Sequence, residues 1–210
     1  LNPYRGLKAL REQDADFLFG RNDDIDRFIS AIAHEQDKLL LALGASGVGK
    51  SSLIFGGVFS AMERHALPDG GKWPEQLIDG RLWPRLSLTP GTNPVQSLVG
   101  AFIRQWIDPT TALFRTETKD WRDLLINGDS LAGLVDAADT AYVKKHGDPP
   151  PRYLIYVDQG EELYTRAGRD PARDGTSRET ESQKDARCFS ELLAEAVGDE
   201  RIVVLMSARA

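Results

Sequence analysis

The stretch Gly44–Ser51 has the sequence G-A-S-G-V-G-K-S and decides the fold of this chain. It fits the spacing of a phosphate-binding loop, in which a glycine is followed by four residues and then by Gly-Lys-Ser or Gly-Lys-Thr. The glycines permit a tight turn of backbone N–H groups around a phosphate, and the following helix favours an anion at its N-terminus. The apolar run Lys38–Leu43 predicts a buried parallel strand before the loop, and the run from Ser51 to about Arg64 predicts a helix after it. Strand, loop and helix stand in the order that such a loop requires.

The loop residues are the first candidates for a nucleotide site. Lys50 would reach the β- and γ-phosphates and so take part in catalysis as well as binding, and the Ser51 hydroxyl would bind Mg²⁺. The candidate binding residues of the loop are Gly44, Ala45, Ser46, Gly47, Val48, Gly49, Lys50, Ser51 and Ser52.

A second group of candidates follows the apolar run Tyr153–Val157. Asp158 ends this predicted strand, where a carboxylate would hold Mg²⁺ directly or through water. Glu161 and Glu162 come next, and one of them would polarise the attacking water; we favour Glu161 slightly. The alternatives are a helix cap for Asp158 and first-turn helix acids for the two glutamates.

Arg209 directly follows the last apolar run, Arg201–Ser207. Ligands of parallel sheets lie at the carboxyl ends of the strands, so Arg209 would approach the γ-phosphate and act in catalysis. The alternative interpretation, that Arg209 is an ordinary solvent-exposed arginine, is nearly as well supported.

The alternation of apolar runs and amphipathic segments predicts an α/β fold with a mainly parallel sheet covered on both faces. Pro84 indicates an edge position or an irregular start for the second strand, and Gly56 and Gly57 weaken the helix after the loop. The highly polar segment 166–184 predicts a mobile loop. The predicted strands are 38–43, 82–88, 153–157 and 201–207, and the predicted helices are 24–35, 51–64, 94–107, 118–127, 130–145 and 185–197.

Composition limits the possible partners. The net charge of −6 argues against a broad surface for nucleic acids or anionic membranes. The single cysteine, Cys188, excludes an internal disulfide framework and is expected to be buried on a helix.

No apolar run is long enough for a membrane span and no signal peptide is visible, so we expect a cytoplasmic protein. The chain begins with Leu1 and stops just after an apolar strand, and we therefore expect a piece of a longer protein.

Several segments together resemble bacterial STAND-class P-loop ATPases, and most closely the novel STAND group that is often fused to WD repeats or effector domains. The resemblance spans almost the whole chain. The matching segments are Asn2–Leu7, Asp14–Ala15, Phe19–Arg21, Gly44–Leu53, Tyr156–Leu163 and Met206–Arg209.

The resemblance implies a P-loop NTPase sandwich with a leader, 1–37, over the nucleotide base and a core, 38–210, that ends after a sensor strand. It implies ATP or ADP with Mg²⁺ as cofactors and assigns Phe19, Gly20 and Arg21 to the adenine. Family members act as switches in which later helical, winged-helix and sensor domains control self-association and an effector. Where the family has a bulky residue, this chain has Gly160, and we expect that to loosen the two glutamates.

Other functions stay open on the sequence alone. A nucleotide-binding scaffold without catalysis would carry the same loop. A GTPase is less favoured because an N-K-x-D guanine box is missing from the sequence, and a small-molecule kinase is less favoured because segment 166–184 is as acidic as it is basic.

Overall fold

The computed structural model describes residues 9–34, 38–163 and 180–210. Within these residues the strands form one sheet in the order β1-β4-β3-β2, and every neighbouring pair is parallel. The predicted edge position of the Pro84 strand is confirmed, because β2 lies at one border of this sheet. The strands are β1 (Leu39–Leu43), β2 (Arg85–Leu88), β3 (Tyr153–Val157) and β4 (Ile202–Ala208).

Helices lie on both faces of the sheet, as expected for parallel strands joined by crossovers. They are α1 (Asn22–Ala33), α2 (Lys50–Ser52), α3 (Ser60–Arg64), α4 (Pro94–Ile103), α5 (Ala112–Ile126), α6 (Leu131–His146) and α7 (Glu181–Gly198). A π-helical segment, Leu53–Phe59, joins α2 to α3, and 3₁₀ turns occur at Glu12–Phe17, Glu75–Leu77 and Gly80–Leu82.

Two predicted boundaries were wrong for a shared reason, which is side-chain capping. The helix expected over 118–127 begins at Ala112, because the Thr111 hydroxyl accepts a hydrogen bond from the Phe114 N–H at 3.1 Å. The end of the loop expected over 166–184 is helical from Glu181 onwards, since Thr180 and Gln183 form a reciprocal capping box. The part of that expectation that falls on 166–179 lies outside the described residues.

The core consists of two apolar clusters, one on each face of the sheet. Helices α4 to α7 pack on one face against β2, β3 and β4. On the other face lie α1, the π-helical segment and α3. Cys188 belongs to the first cluster as predicted, and burial raises the pKa of its thiol.

Strand β1 departs from the expectation of a sheet covered on both faces. Leu40 packs on the second cluster and Ala42 is buried, but Leu39, Leu41 and Leu43 are 46%, 51% and 61% exposed. These three leucines alternate onto the face of α4 to α7, and no helix within the described residues extends over them. The apolar run therefore predicted the strand correctly but not its burial.

The Asp185 side chain connects α7, on which it lies, with α4 and α5. It is 1% exposed at the start of α7, accepts a hydrogen bond from the Val95 N–H at 3.0 Å, and pairs with Arg122 of α5 at 2.8 Å. The side chain of Asn93, the residue before α4, makes no capping bond. Asp185 thus caps α4 from a distant part of the chain.

The two glycines after the loop have a packing role. A Cβ on Gly56 would lie 3.3 Å from the Cβ of Leu10, and a Cβ on Gly57 would lie 2.8 Å from Cγ1 of Ile25 and 3.1 Å from Leu18. The residues before β1 therefore pack directly on this helix, which explains glycines at positions where helix propensity disfavours them.

We expect Gly57→Ala to lower the free energy of unfolding by about 1–3 kcal/mol, because the new methyl group overpacks the contact with Ile25. Gly198→Ala is the matched control: nothing lies within 4 Å of its added Cβ, and the change should stay within about 0.5 kcal/mol. Urea unfolding of both variants measures the difference, and equal stabilities would contradict the packing role.

In the described residues, no helix combines the length and the apolar character that crossing a membrane requires.

Candidate nucleotide site

Several of the predicted site residues lie at the carboxyl ends of three neighbouring strands. The glycine loop follows β1, Asp158 follows β3 and Arg209 follows β4. They surround a cavity of about 320 Å³, within the size range of small-molecule sites. Its lining is Ala9, Ser46, Gly47, Gly49, Lys50, Ser51, Ser52, Asp158, Gln159, Glu161, Ser207 and Arg209.

The loop has the backbone that its glycines permit. Gly47 and Gly49 have φ angles of +80° and +86°, which a residue with a side chain adopts only under strain. The Lys50 ammonium group donates to the carbonyl oxygens of Gly44 and Ala45 at 2.7 and 2.9 Å. An ammonium group has three N–H donors, so one is left for an anion in the cavity.

Ser51 and Asp158 are in direct contact. The Ser51 hydroxyl lies 2.9 Å from Oδ1 and 3.0 Å from Oδ2 of Asp158. Hydroxyl and carboxylate oxygens are the ligand types that Mg²⁺ accepts. Together they fit a magnesium ion at the mouth of the loop.

Two further hydroxyl groups hold Asp158, and the sequence analysis missed both. The hydroxyls of Tyr156 and Ser207 lie 2.9 and 2.8 Å from Asp158 Oδ1. Burial, reinforced by the charge of Asp158, raises the pKa of Tyr156 above its usual range, so its hydroxyl stays protonated. The sequence feature that could have identified Tyr156 and Ser207 is the hydroxyl group that each places within a largely apolar strand.

Glu161 and Glu162 point to different places. Glu161 lines the cavity, its Oε1 pairs with Arg209 Nε at 3.0 Å, and its Oε2 is buried without a hydrogen-bond partner in the described residues. Glu162 instead accepts a hydrogen bond from the Gly91 N–H at 3.2 Å, and it is not among the lining residues. Of the two, Glu161 is therefore the glutamate within reach of a ligand.

Gly160 makes the turn before the glutamates tight rather than loose. Its N–H donates to the Ser207 carbonyl at 2.7 Å, and a Cβ would lie 2.6 Å from the Met206 sulfur. The expectation that glycine loosens the two glutamates was wrong, because Met206 of the adjacent strand fills the space that a larger residue would need.

One residue of the predicted adenine group, Arg21, contacts the loop. The guanidinium of Arg21 donates to the Val48 carbonyl at 2.7 Å and to Asp24 at 2.9 Å, so it braces the loop. Phe19 is 82% exposed, and Phe19, Gly20 and Arg21 do not line the cavity. Their assignment to the adenine stays a prediction.

Some of the predicted loop residues line the cavity, and others do not. Ser52 both lines the cavity and accepts a hydrogen bond from the Leu10 N–H at 3.0 Å. Gly44, Ala45 and Val48 do not line the cavity, although the first two hold Lys50 through their carbonyls.

A parallel α/β sheet with a glycine loop after its first strand defines a P-loop NTPase-like fold. A family model described as Novel STAND NTPase 1 matches residues 3–210, so the chain belongs to this family and the resemblance seen in the sequence is confirmed. Membership supports nucleotide hydrolysis in general terms. Comparisons with curated proteins and with solved structures gave no match.

Proposed function

We propose that this chain is the ATP-binding and ATP-hydrolysing module of a signal-transducing switch. The observation that carries the proposal is the contact of Ser51 with Asp158, 2.9 Å apart, beside Lys50 in one cavity. A hydroxyl, a carboxylate and an ammonium group at the end of a parallel sheet are what a magnesium–triphosphate complex requires.

Each of these residues has one role in the proposal. Lys50 binds the β- and γ-phosphates, while Ser51 and Asp158 hold Mg²⁺, which when bound neutralises charge on the phosphate oxygens. Glu161 orients the attacking water, and its buried Oε2, which has no hydrogen-bond partner among the described residues, supports this choice. Arg209 neutralises charge on the γ-phosphate, a role that requires it to leave Glu161.

The choice of ATP and the role as a switch rest on weaker support. The sequence lacks an N-K-x-D guanine box, which favours adenine over guanine. The name STAND NTPase and the family resemblance support control of self-association or of an effector by further helical, winged-helix and sensor domains. The contact of Arg21 with the loop adds a physical link, because it ties the leader to the phosphate site.

A non-catalytic nucleotide-binding scaffold is the second candidate. The ion pair of Glu161 with Arg209 favours it, since Arg209 rather than water holds Oε1 of this glutamate. The two candidates share the binding site and differ only in turnover.

We expect Lys50→Ala to weaken ATP binding about 10- to 100-fold, because it removes a charge-assisted hydrogen bond to phosphate. Calorimetric titration of the whole chain with ATP and with GTP measures this and the preference for the base.

Lys72→Ala is the matched control, because Lys72 is an exposed lysine whose ion-pair partner in the described part of the chain is Glu75, three residues further on. Its affinity for ATP should equal that of the wild type. Equal affinity of Lys50→Ala and Lys72→Ala would overturn the assignment of the loop as the phosphate site.

A further inference from the structure

Two hydroxyl groups from neighbouring strands of the sheet form hydrogen bonds with the Asp158 carboxylate. Tyr156 is on β3 and Ser207 is on β4, and their side chains are 0% and 1% exposed. Both hydroxyls contact the same carboxylate oxygen, Oδ1, at 2.9 and 2.8 Å. Two buried donors on one oxygen hold a carboxylate more firmly than one, since rotation about its bond would break both contacts.

The direction of the Ser207 proton follows from two further contacts of its oxygen. The backbone N–H of Gln159 donates to Ser207 Oγ at 3.1 Å, and the Tyr156 hydroxyl lies 3.1 Å from the same oxygen. Ser207 is an acceptor towards Gln159 and has its own proton for Asp158. Gln159 adopts the left-handed conformation, with φ at +59°, which turns the chain sharply after Asp158. The turn, Ser207 and Asp158 therefore form one connected unit.

The other carboxylate oxygen is held differently. Within residues 9–34, 38–163 and 180–210, Oδ2 has Ser51 as its hydrogen-bond partner, at 3.0 Å, and the same hydroxyl also lies 2.9 Å from Oδ1. We propose that Tyr156 and Ser207 are positioning residues that fix Oδ1, so that Oδ2 and the Ser51 hydroxyl are presented together to the divalent cation of a bound nucleotide. This inference rests on the proposed function.

The Tyr156 hydroxyl can be separated from the packing of its ring. The ring makes edge-to-face contacts with Phe55 and Phe59, at centroid distances of 5.3 and 6.1 Å. Phenylalanine keeps these contacts and removes only the oxygen. Tyr156→Phe therefore tests the hydrogen bond and leaves the core filled.

Tyr153→Phe is the matched control for this substitution. Tyr153 is a buried tyrosine on the same strand, and its hydroxyl also contacts an aspartate, Asp139, at 2.8 Å. That contact lies at the opposite end of β3 from Asp158. Both variants lose a buried hydroxyl contact to a carboxylate, but only one of the two carboxylates belongs to the candidate site.

The experiment measures the affinity of the whole chain for ADP in Mg²⁺ and in EDTA by calorimetry, and Mn²⁺ binding in the presence of ADP by electron paramagnetic resonance. We expect Tyr156→Phe and Ser207→Ala to weaken Mn²⁺ binding, and ADP binding in Mg²⁺, about five- to tenfold. ADP binding in EDTA should not change. Ser207→Thr, which keeps the hydroxyl, should restore the wild-type metal affinity.

The possible results separate the inference from its premise. Wild-type Mn²⁺ affinity in Tyr156→Phe and Ser207→Ala would overturn the inference, and so would an equal loss in Tyr153→Phe. A loss of ADP affinity of the same size in EDTA and in Mg²⁺ would also overturn it, because it would indicate a purely structural role. Failure of the proposed function would appear in the wild-type chain itself, as an absence of ADP binding under both conditions.

Discussion

Replacing Glu161 by glutamine should lower the rate of ATP hydrolysis about 100- to 1000-fold with little change in ATP affinity. A general base is typically worth 10²- to 10⁴-fold in rate, and glutamine cannot accept a proton from water. Glu161 lines the cavity and has one buried carboxylate oxygen without a partner in the described residues. Release of phosphate at saturating ATP measures the rate, and calorimetry measures the affinity.

Glu162→Gln is the control, because it makes the same chemical change at the next residue. The Glu162 carboxylate accepts a hydrogen bond from the Gly91 N–H, and the amide oxygen of glutamine accepts it as well. The rate should therefore change by no more than about twofold. A larger loss in Glu162→Gln than in Glu161→Gln would reverse the assignment, and unchanged turnover in both variants would contradict a catalytic role for either glutamate.

Replacing Asp185 by alanine should lower the free energy of unfolding by about 3–5 kcal/mol, the cost of breaking a buried ion pair. The substitution leaves Arg122, whose side chain is only 16% exposed, without its closest carboxylate. It also leaves the Val95 N–H at the start of α4 without an acceptor. For a chain of this size the melting temperature should fall by about 10 °C.

Glu191→Ala is the control on the same helix. Glu191 pairs with Arg187 at 3.0 Å, but both side chains are more than half exposed. Its loss should cost no more than about 0.5 kcal/mol. Urea unfolding of the two variants gives the comparison, and a cost below about 1 kcal/mol for Asp185→Ala would show that the α4 cap is replaceable.

The nucleotide loop could be predicted because the residues that define it are close together in the sequence. Its glycines, Lys50 and Ser51 lie within eight consecutive residues, and the apolar run before them predicts the strand that orients the loop. Asp158 was predictable for the same reason, since it ends an apolar run. A local pattern fixes which residues follow a strand, and a parallel sheet brings those positions together at one edge.

The contacts that depend on strand pairing could not be predicted. Ser207 meets Asp158 because β3 and β4 are neighbours with Val157 opposite Met206, and nothing in either strand alone indicates that register. The cap that Asp185 provides for α4 joins residues 90 positions apart. The choice between Glu161 and Glu162 likewise needed the direction of each side chain after the turn.

The close packing of Met206 against Gly160 limits which residue types these two positions can accept together. The methionine sulfur occupies the place where a larger residue at position 160 would put its Cβ, so the two positions share one volume. A larger residue at position 160 therefore requires Met206 to move or to be replaced by a smaller residue. We expect the residue types that positions 160 and 206 accept to depend on each other.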